Sequence, residues 1–243
     1  MKSRRRVSQQ MKIVSRRVGI AIADYDMLQD GDRVMVAVSG GKDSLSLLKL
    51  LKYRQGFAPI RFEIMAVHLD TGIPGFPTQA LKDFFEQEQA PYHIQKVDVL
   101  KGKNWADINC FGCSLIRRST LFRLSEKFGF NKIAFGHHLD DIAETILLNL
   151  FYQGKIAAMR PKLELFGGRM TIIRPLAYEN EEELKRFAKE EGIPDLDHFQ
   201  CPNNDVSQRA RMKELIRNLE EDNPVVKKNI FKSLKRVQAD YLL

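Results

Sequence analysis

Residues 39–44, with the sequence SGGKDS, have the composition of a phosphate-binding loop. Two adjacent glycines take backbone angles that other residues avoid and leave backbone N–H groups open to an anion. A carboxylate beside a polyphosphate indicates a bridging divalent metal, for which Mg²⁺ is the predicted ion. An ordinary strand–helix turn is the alternative interpretation. The predicted nucleotide-binding residues of this phosphate loop are Ser39, Gly40, Gly41, Lys42, Asp43 and Ser44.

Three cysteines form a second group of candidate functional residues. Cys110 and Cys113 make a C-x-x-C turn, and Cys201 follows much later in the chain. Four interpretations stay open from the residues alone. They are a structural zinc with His198 as fourth ligand, a redox dithiol, a packed set of thiols, and an iron–sulfur cluster that leaves one iron open.

Residues 136–141, with the sequence GHHLDD, form a histidine–aspartate turn between a predicted strand and a predicted helix. Two adjacent carboxylates exceed what a helix cap requires. We predict that Asp141 faces the reacting groups as a catalytic residue and that Asp140 caps the helix. The two histidines are interpreted as packing or hydrogen-bonding residues, and Gly136 is predicted to contact the nucleotide.

Two arginines follow the C-x-x-C turn within five residues of Cys113. A guanidinium can clamp a phosphate or an activated base. Arg117 is therefore a predicted nucleotide-binding residue and Arg118 a second candidate, the alternative being that both are surface charges on a helix.

These residues must be positioned by strands that alternate with helices. An apolar run at residues 34–38 and four further segments near residues 62–69, 92–97, 132–135 and 170–176 predict strands. Such alternation predicts an α/β fold with a parallel sheet of about five strands, flanked by helices. Ligands of parallel sheets bind at the carboxyl ends of the strands, so the phosphate loop, His68 and the histidine–aspartate turn should share one crevice.

Length and composition limit the remaining possibilities. The chain has 243 residues and a formal net charge of +8, and residues 1–17 are strongly basic. This charge suits a nucleic-acid backbone, although a solvated basic surface is the alternative. No stretch is long and apolar enough to predict a membrane span or a signal peptide, so a cytoplasmic enzyme is expected.

The predicted organisation has three parts. Residues 1–28 form a basic helical arm, residues 29–197 an ATP-binding α/β domain, and residues 198–243 a small helical appendage.

The combination of SGGKDS, C-x-x-C, GHHxDD and one late cysteine resembles the tRNA 2-thiocytidine synthetases of the PP-loop ATP pyrophosphatase superfamily. The resemblance covers nearly the whole chain, including Arg174-Pro175-Leu176 and Gln208-Arg209. It implies an adenine nucleotide alpha-hydrolase-like fold and a 4Fe–4S cluster held by Cys110, Cys113 and Cys201.

The same resemblance implies an activity and its partners. ATP would adenylate the C2 carbonyl oxygen of a cytidine in the tRNA anticodon loop, pyrophosphate would depart, and sulfur would replace the oxygen. Lys42 and Asp43 are the catalytic residues implied for the first step. The expected partners are tRNA, a sulfur donor of the cysteine desulfurase persulfide type and a second copy of the chain.

Other functions are kept as alternatives. A PP-loop sulfurtransferase acting on tRNA uridine or on a small molecule is the nearest of them. Lysidine synthetase shares the loop without needing the cysteines, and a nucleotide-sensing module would have little use for Asp43 or three thiols.

Overall fold

The computed structural model describes residues 7–100, 102, 110–196 and 208–241. Six strands form one sheet in the order β3-β2-β1-β4-β6-β5, parallel except for the last pair. The α/β fold with five parallel strands is therefore confirmed. The strands are β1 (Asp32–Val38), β2 (Phe62–Asp70), β3 (Tyr92–Lys96), β4 (Lys132–Phe135), β5 (Lys162–Leu165) and β6 (Met170–Ile173).

The antiparallel strand β5 is an addition to the predicted sheet. It has only four residues, alternates polar and apolar side chains, and lies at the sheet edge, so it lacks the apolar run that marks the central strands. The predicted fifth strand, here β6, ends at Ile173 rather than Leu176. Pro175 has no N–H group to continue the ladder.

Eight α-helices cover the two faces of the sheet and its carboxyl edge within the described ranges. They are α1 (Gln9–Asp24), α2 (Lys42–Gln55), α3 (Thr78–Gln87), α4 (Cys110–Phe128), α5 (Leu139–Gln153), α6 (Glu181–Glu190), α7 (Gln208–Asp222) and α8 (Val226–Ser233). The C-x-x-C sequence was predicted as a turn before a helix starting at residue 114. It lies instead in the first turn of α4, because Gly112 is tolerated within a helix.

One large core lies on the face covered by α1, α2, α3 and α6. Val14 and Val18 of α1 are fully buried in it beside Leu184 and Phe187 of α6. Helix α1 is thus part of the main core, whereas residues 1–6 lie outside the described residues. The division into three parts stays a prediction.

The opposite face of the sheet is covered by α4, whose Leu121 and Leu124 pack on Met35 and Ile133. Helices α7 and α8 pack on α5, with Met212 and Ile216 buried against it. No helix in the described ranges is long and apolar enough to cross a membrane.

Glu179 is a buried carboxylate just ahead of α6. Its backbone carbonyl accepts a hydrogen bond from the N–H of Leu139, the first residue of α5, at 2.8 Å. Its Oε1 lies 3.2 Å from Nε of Arg17 in α1, but the side chain is fully buried. Burial raises the pKa of Glu179 to about 7, against the opposing charge of Arg17.

We expect Glu179→Gln to stabilise the protein above about pH 7. The folded state holds this acid protonated up to that pH, whereas the unfolded chain ionises it above the ordinary glutamate pKa of 4.5. The free energy of unfolding therefore falls as the pH rises from 4.5 to about 7 and stays lower beyond it. The gain for the variant has an upper limit of roughly 3 kcal/mol, at about 1.4 kcal/mol for each unit of pKa.

The measurement is the Tm of both proteins at about pH 5 and about pH 8. Glu183→Gln is the matched control, because contacts with Arg17 outweigh burial and lower the pKa of Glu183, so the control should lose stability at the higher pH. A Tm difference for Glu179→Gln that does not change with pH would contradict the expectation.

Candidate active site

The phosphate loop joins β1 to α2 and is shaped by its own serines. The N–H of Gly41 donates to Oγ of Ser39 at 3.2 Å, and the hydroxyl of Ser44 donates to the carbonyl of Gly41 at 2.9 Å. The N–H of Ser39 donates to Oγ of Ser44 at 3.2 Å. These bonds fold the loop over the N-terminus of α2, where backbone N–H groups and the helix dipole favour an anion.

Gly40 has a φ of 106°, a conformation that glycine adopts without strain. A Cβ atom at this position would lie 2.8 Å from the ring of Phe76, so the ring closes directly over the loop. His68 stacks on Phe76 with ring centroids 4.7 Å apart. Nδ1 of His68 is 2.9 Å from the carbonyl oxygen of Val38. His68 thus supports the loop through Phe76, and direct contact with the nucleotide stays a prediction.

Gly136 follows β4 and touches the phosphate loop from the neighbouring strand. A Cβ atom there would lie 3.0 Å from both N and Cα of Ser44 and 3.1 Å from the carbonyl carbon of Asp43. These are backbone atoms, so they cannot rotate away. The absence of a side chain at residue 136 lets β4 and the loop come together at the sheet edge.

Gly136→Ala is therefore expected to weaken ATP binding by roughly 10- to 100-fold and to cost about 1–3 kcal/mol of stability, as overpacking does. Calorimetric titration with ATP and thermal unfolding measure the two effects. Gly56→Ala is the control, because Gly56 has ordinary αR angles and a Cβ there would sit 3.4 Å from its nearest neighbour. ATP affinity equal to that of the control would show that the loop tolerates displacement.

An acidic cleft of about 330 Å³ lies beside the loop. It is lined by Asp43, His138, Asp141, Glu144, Glu181, Arg209, Ala210 and Lys213. The structure therefore brings the predicted residues Asp43 and Asp141 into one cleft, joined through His138. Nε2 of His138 is 3.9 Å from Oδ2 of Asp43 and 3.5 Å from Oδ2 of Asp141.

His138 is buried among three carboxylates. Burial opposes its charged form, but Asp140, Asp141 and Asp43 outweigh that cost and raise the pKa of His138. A protonated imidazole here offsets the repulsion among the carboxylates. His138 therefore has an electrostatic role in addition to the packing or hydrogen-bonding role predicted for it.

Asp141 lies in the cleft as predicted, but the cap at the start of α5 that was predicted for Asp140 is made by Asp141. Oδ2 of Asp141 accepts from the N–H of His138 at 2.8 Å, so Asp141 makes the capping bond assigned to Asp140. Asp140 lies on another side of the helix, where it accepts from the N–H of Glu181 at 2.9 Å and pairs with Lys227 at 2.5 Å. Asp140 thus ties α5 to α6 and α8.

Basic residues of α7 reach into the cleft. Arg209 pairs with Asp141 and, at 2.7 Å, with Oε2 of Glu144. Lys213 lies 2.7 Å from Oε2 of Glu181. These contacts were not predicted, because 68 residues separate Arg209 from Asp141 and local patterns do not reveal such pairs.

Asp43 has a free carboxylate oxygen that could bind a magnesium ion. Burial raises its pKa against the charges of His138 and Lys42, and its Oδ2 lies 3.2 Å from Nζ of Lys42. Its other oxygen, Oδ1, is buried and has no hydrogen-bond partner among the described residues. Mg²⁺ is commonly held by one or two carboxylates together with substrate phosphates, and Oδ1 could serve as such a ligand.

Helix α4 carries the cysteine pair and the two arginines. Helices between parallel strands run opposite to them, so its N-terminal turn lies at the same sheet edge as the phosphate loop. Cys110 and Cys113 are one turn apart at this terminus, where the helix dipole favours thiolates. Arg117 and Arg118 are exposed. The side chain of Cys110, all of Cys201 and the alternative ligand His198 lie outside the described residues.

The described residues just before and just after residues 197–207 form hydrogen bonds and ion pairs with the site. The N–H of Leu196 donates to the carbonyl of Gly40 at 3.0 Å, and Oδ1 of Asp195 accepts from the N–H of Lys42 at 3.3 Å. On the other side, Arg209 holds Asp141 and Glu144. The described residues that flank Cys201 in the chain thus lie at the phosphate loop on one side and at the acidic cleft on the other.

Fold and site together define a PP-loop nucleotide-binding enzyme. The family model described as a PP-loop domain matches residues 10–218. A tRNA-cytidine(32) 2-sulfurtransferase from Geotalea uraniireducens is 42% identical over 236 residues, which cover 95% of this chain and 93% of that protein. A tRNA-cytidine(32) 2-sulfurtransferase from Teredinibacter turnerae is 43% identical, and the match covers 99% of this chain and 81% of that protein.

A solved structure extends the comparison. The U34-tRNA thiolase NcsA from Methanococcus maripaludis, with its 4Fe–4S cluster, matches with a TM-score of 0.77 and 25% identity. The match covers 96% of this chain and 80% of that one. The chain belongs to the tRNA-cytidine 2-sulfurtransferase family of PP-loop enzymes, as its motifs predict.

Proposed function

We propose that this enzyme converts a cytidine of the tRNA anticodon loop to 2-thiocytidine in an ATP-dependent reaction. One observation carries the proposal. The chain on both sides of Cys201 and the helix turn bearing Cys110 and Cys113 are located at the sheet edge that carries the phosphate loop. The relatives that are 42–43% identical are named for this reaction on cytidine 32.

The first step is adenylation of the base. The C2 carbonyl oxygen attacks the α-phosphorus of ATP, and pyrophosphate leaves. The loop N–H groups and Lys42 stabilise the charge that develops on the departing pyrophosphate. Oδ1 of Asp43 would be a ligand for Mg²⁺, which would supply further charge neutralisation for the phosphates.

The second step replaces the activated oxygen. A sulfur nucleophile derived from the donor attacks C2, and AMP leaves with the former carbonyl oxygen. Cys110, Cys113 and Cys201 would hold a 4Fe–4S cluster, which supplies a binding position for sulfur when it is present. The neighbouring aspartates raise the pKa of His138 against the effect of burial, which favours a positive charge there. Such a charge would limit the repulsion between Asp141 and the incoming phosphates.

Two expected partners remain predictions of the proposal. The sulfur donor is expected to be a cysteine desulfurase persulfide, and a second copy of the chain is expected as an assembly partner. The expected compartment is the cytoplasm, where tRNA is the substrate.

Nucleoside analysis of tRNA tests the proposal. A strain lacking this gene should contain tRNA without 2-thiocytidine, and the anaerobically purified enzyme should restore it with ATP and a sulfide source. Uridine thiolation is the second candidate, favoured by the structural similarity to the U34-tRNA thiolase. Loss of 2-thiouridine with 2-thiocytidine unchanged would replace the proposal by that candidate.

A further inference from the structure

A groove between α1 and the C-terminal end of α2 shares no lining residue with the acidic cleft. Its volume is about 470 Å³, in the usual range for ligand-binding sites. Three of its lining residues are basic and none is acidic. The lining residues are Lys12, Ser15, Arg16, Gly19, Ile20, Ala23, Tyr53, Arg54 and Phe57. This α1–α2 groove thus combines positive charge with apolar and aromatic surface.

Arg54 presents a guanidinium group to this groove. Its Nη1 donates to the backbone carbonyl of Ser15 at 2.7 Å and to the Ser15 hydroxyl at 3.3 Å, and these bonds hold the side chain in place. The central carbon of the guanidinium lies 5.4 Å from the centre of the Phe57 ring. No carboxylate in the described part of the chain pairs with Arg54, and burial lowers its pKa. A fixed cation without an anionic partner is preorganised to bind an anion.

Gly19 of α1 leaves room for this guanidinium group. A Cβ atom at residue 19 would lie 2.6 Å from both Nη1 and Nη2 of Arg54. Glycine destabilises a helix interior relative to alanine, and partial burial of an unpaired charge also costs free energy. The bond to Ser15 ties α1 to α2, but that structural role does not require further cations beside it. Costs of this kind are expected at functional sites.

The rim of the groove adds two cations and two apolar side chains. Lys12 and Arg16 are exposed one turn apart on α1, and neither forms an ion pair with another described residue. Like charges at this spacing repel each other and destabilise the helix slightly. Ile20 is 43% exposed and Phe57 is 55% exposed. Because the cations suit a phosphate and an exposed aromatic ring suits a nucleobase, the groove matches one nucleotide of an RNA chain.

We propose that the α1–α2 groove binds a nucleotide of the tRNA substrate at a distance from the reacting base. The phosphate contacts Arg16 and Arg54, and the nucleoside lies against Phe57. The identity of the RNA rests on the proposed function, whereas the phosphate and nucleoside chemistry follows from the groove. Arg54 is twelve residues beyond Lys42 in α2, or about 18 Å along the helix axis. A folded RNA that places one base at the phosphate loop can therefore also reach the groove.

Arg16→Gln tests the inference without using the reaction. Its affinity for tRNA should fall by roughly 10-fold at low salt, the usual effect of losing a hydrogen bond to a charged group. The slope of log affinity against log salt should become shallower by about 0.7–0.9, as expected for one lost phosphate contact. Its Tm should equal that of the parent protein, because Arg16 is exposed. Arg123→Gln is the matched control, since Arg123 is an exposed arginine on α4, which covers the opposite face of the sheet.

Two further variants separate the phosphate contact from the nucleoside contact. Gly19→Ala should weaken tRNA binding because the added methyl group displaces the guanidinium of Arg54, and the higher helix propensity of alanine should keep its Tm close to that of the parent protein. Phe57→Leu should lower tRNA affinity by about 5-fold or more through lost stacking. It should leave the salt slope unchanged because no charge is removed, and leucine retains an apolar contact with Tyr53.

The outcomes distinguish this inference from the proposed function. If Arg16→Gln and Gly19→Ala match Arg123→Gln in tRNA affinity and salt slope, the inference is overturned, even if the groove binds an acidic protein segment instead. A loss of affinity that parallels a loss of Tm, with the salt slope unchanged, would also overturn it, because Arg54 would then only tie α1 to α2. If tRNA binding weakens as expected but the deletion strain keeps its 2-thiocytidine, the groove stands as a tRNA site and the proposed base is wrong.

Discussion

Lys42→Ala is expected to reduce ATP-dependent pyrophosphate release by about 100- to 1,000-fold, the effect of removing one donor that stabilises transition-state charge. Lys42 is the first residue of α2, and its Nζ lies 3.2 Å from Asp43 in the cleft. The reacting phosphates would lie between the loop N–H groups and this ammonium group. Pyrophosphate release from ATP in the presence of tRNA measures the effect.

The control is Lys52→Ala, a half-buried lysine of the same helix with no ion pair among the described residues. It should keep the parent rate. The iron content of Lys42→Ala should also match the parent protein, because no predicted cluster ligand lies in the loop. If Lys42→Ala loses iron together with pyrophosphate release, the substitution has disrupted folding instead of the first step.

Cys113→Ala is expected to have the complementary effect. Anaerobically purified protein should lose its bound iron, and tRNA thiolation should fall by more than about 100-fold. Loss of a residue that only hydrogen-bonds to a metal ligand usually costs about 10- to 100-fold, and loss of a ligand itself should cost more. Pyrophosphate release should continue, because Cys113 lies on α4, whereas hydrogen bonds from Ser39 and Ser44 shape the phosphate loop. Absorption spectra, iron and zinc content and thiolated nucleosides are the measurements.

Ser114→Ala is the control, because Ser114 is exposed in the same turn of α4. This variant is expected to retain both pyrophosphate release and tRNA thiolation. One zinc ion per chain in the parent protein, with no iron, would support the zinc alternative and contradict the cluster. Together the two variants separate the oxygen-activating part of the site from the sulfur-binding part. If Lys42→Ala and Cys113→Ala each lost both pyrophosphate release and bound iron, the oxygen-activating and sulfur-binding parts of the site would depend on one another.

The sequence predicted the central fold because its signals are local. Apolar runs mark the mostly buried strands β1, β2, β4 and β6. All five predicted strands are present in the sheet, including the more exposed edge strand β3. The edge strand β5 was missed because four residues that alternate polar and apolar side chains give a weak pattern. The start of α4 was placed late because Gly112 and two cysteines are poor indicators of a helix.

The site was predictable only where its residues are adjacent in the chain. SGGKDS fixes a loop geometry that needs few other residues, and the structure shows that geometry through the hydrogen bonds of Ser39 and Ser44. The roles of Asp140 and Asp141 could not be assigned in this way. Both follow a predicted strand, and only the packing of α6, α7 and α8 decides which partner each one meets.

By itself the sequence identified the candidate chemical groups, which are the phosphate loop, the acidic turn and the cysteines, because these are recognised mainly by residue type and local spacing. The tertiary structure decided which groups face one another. It placed Arg209 on Asp141 and Phe76 over Gly40. These contacts join residues far apart in the chain, and their energies depend on burial and distance, which only the folded sheet and its helices establish.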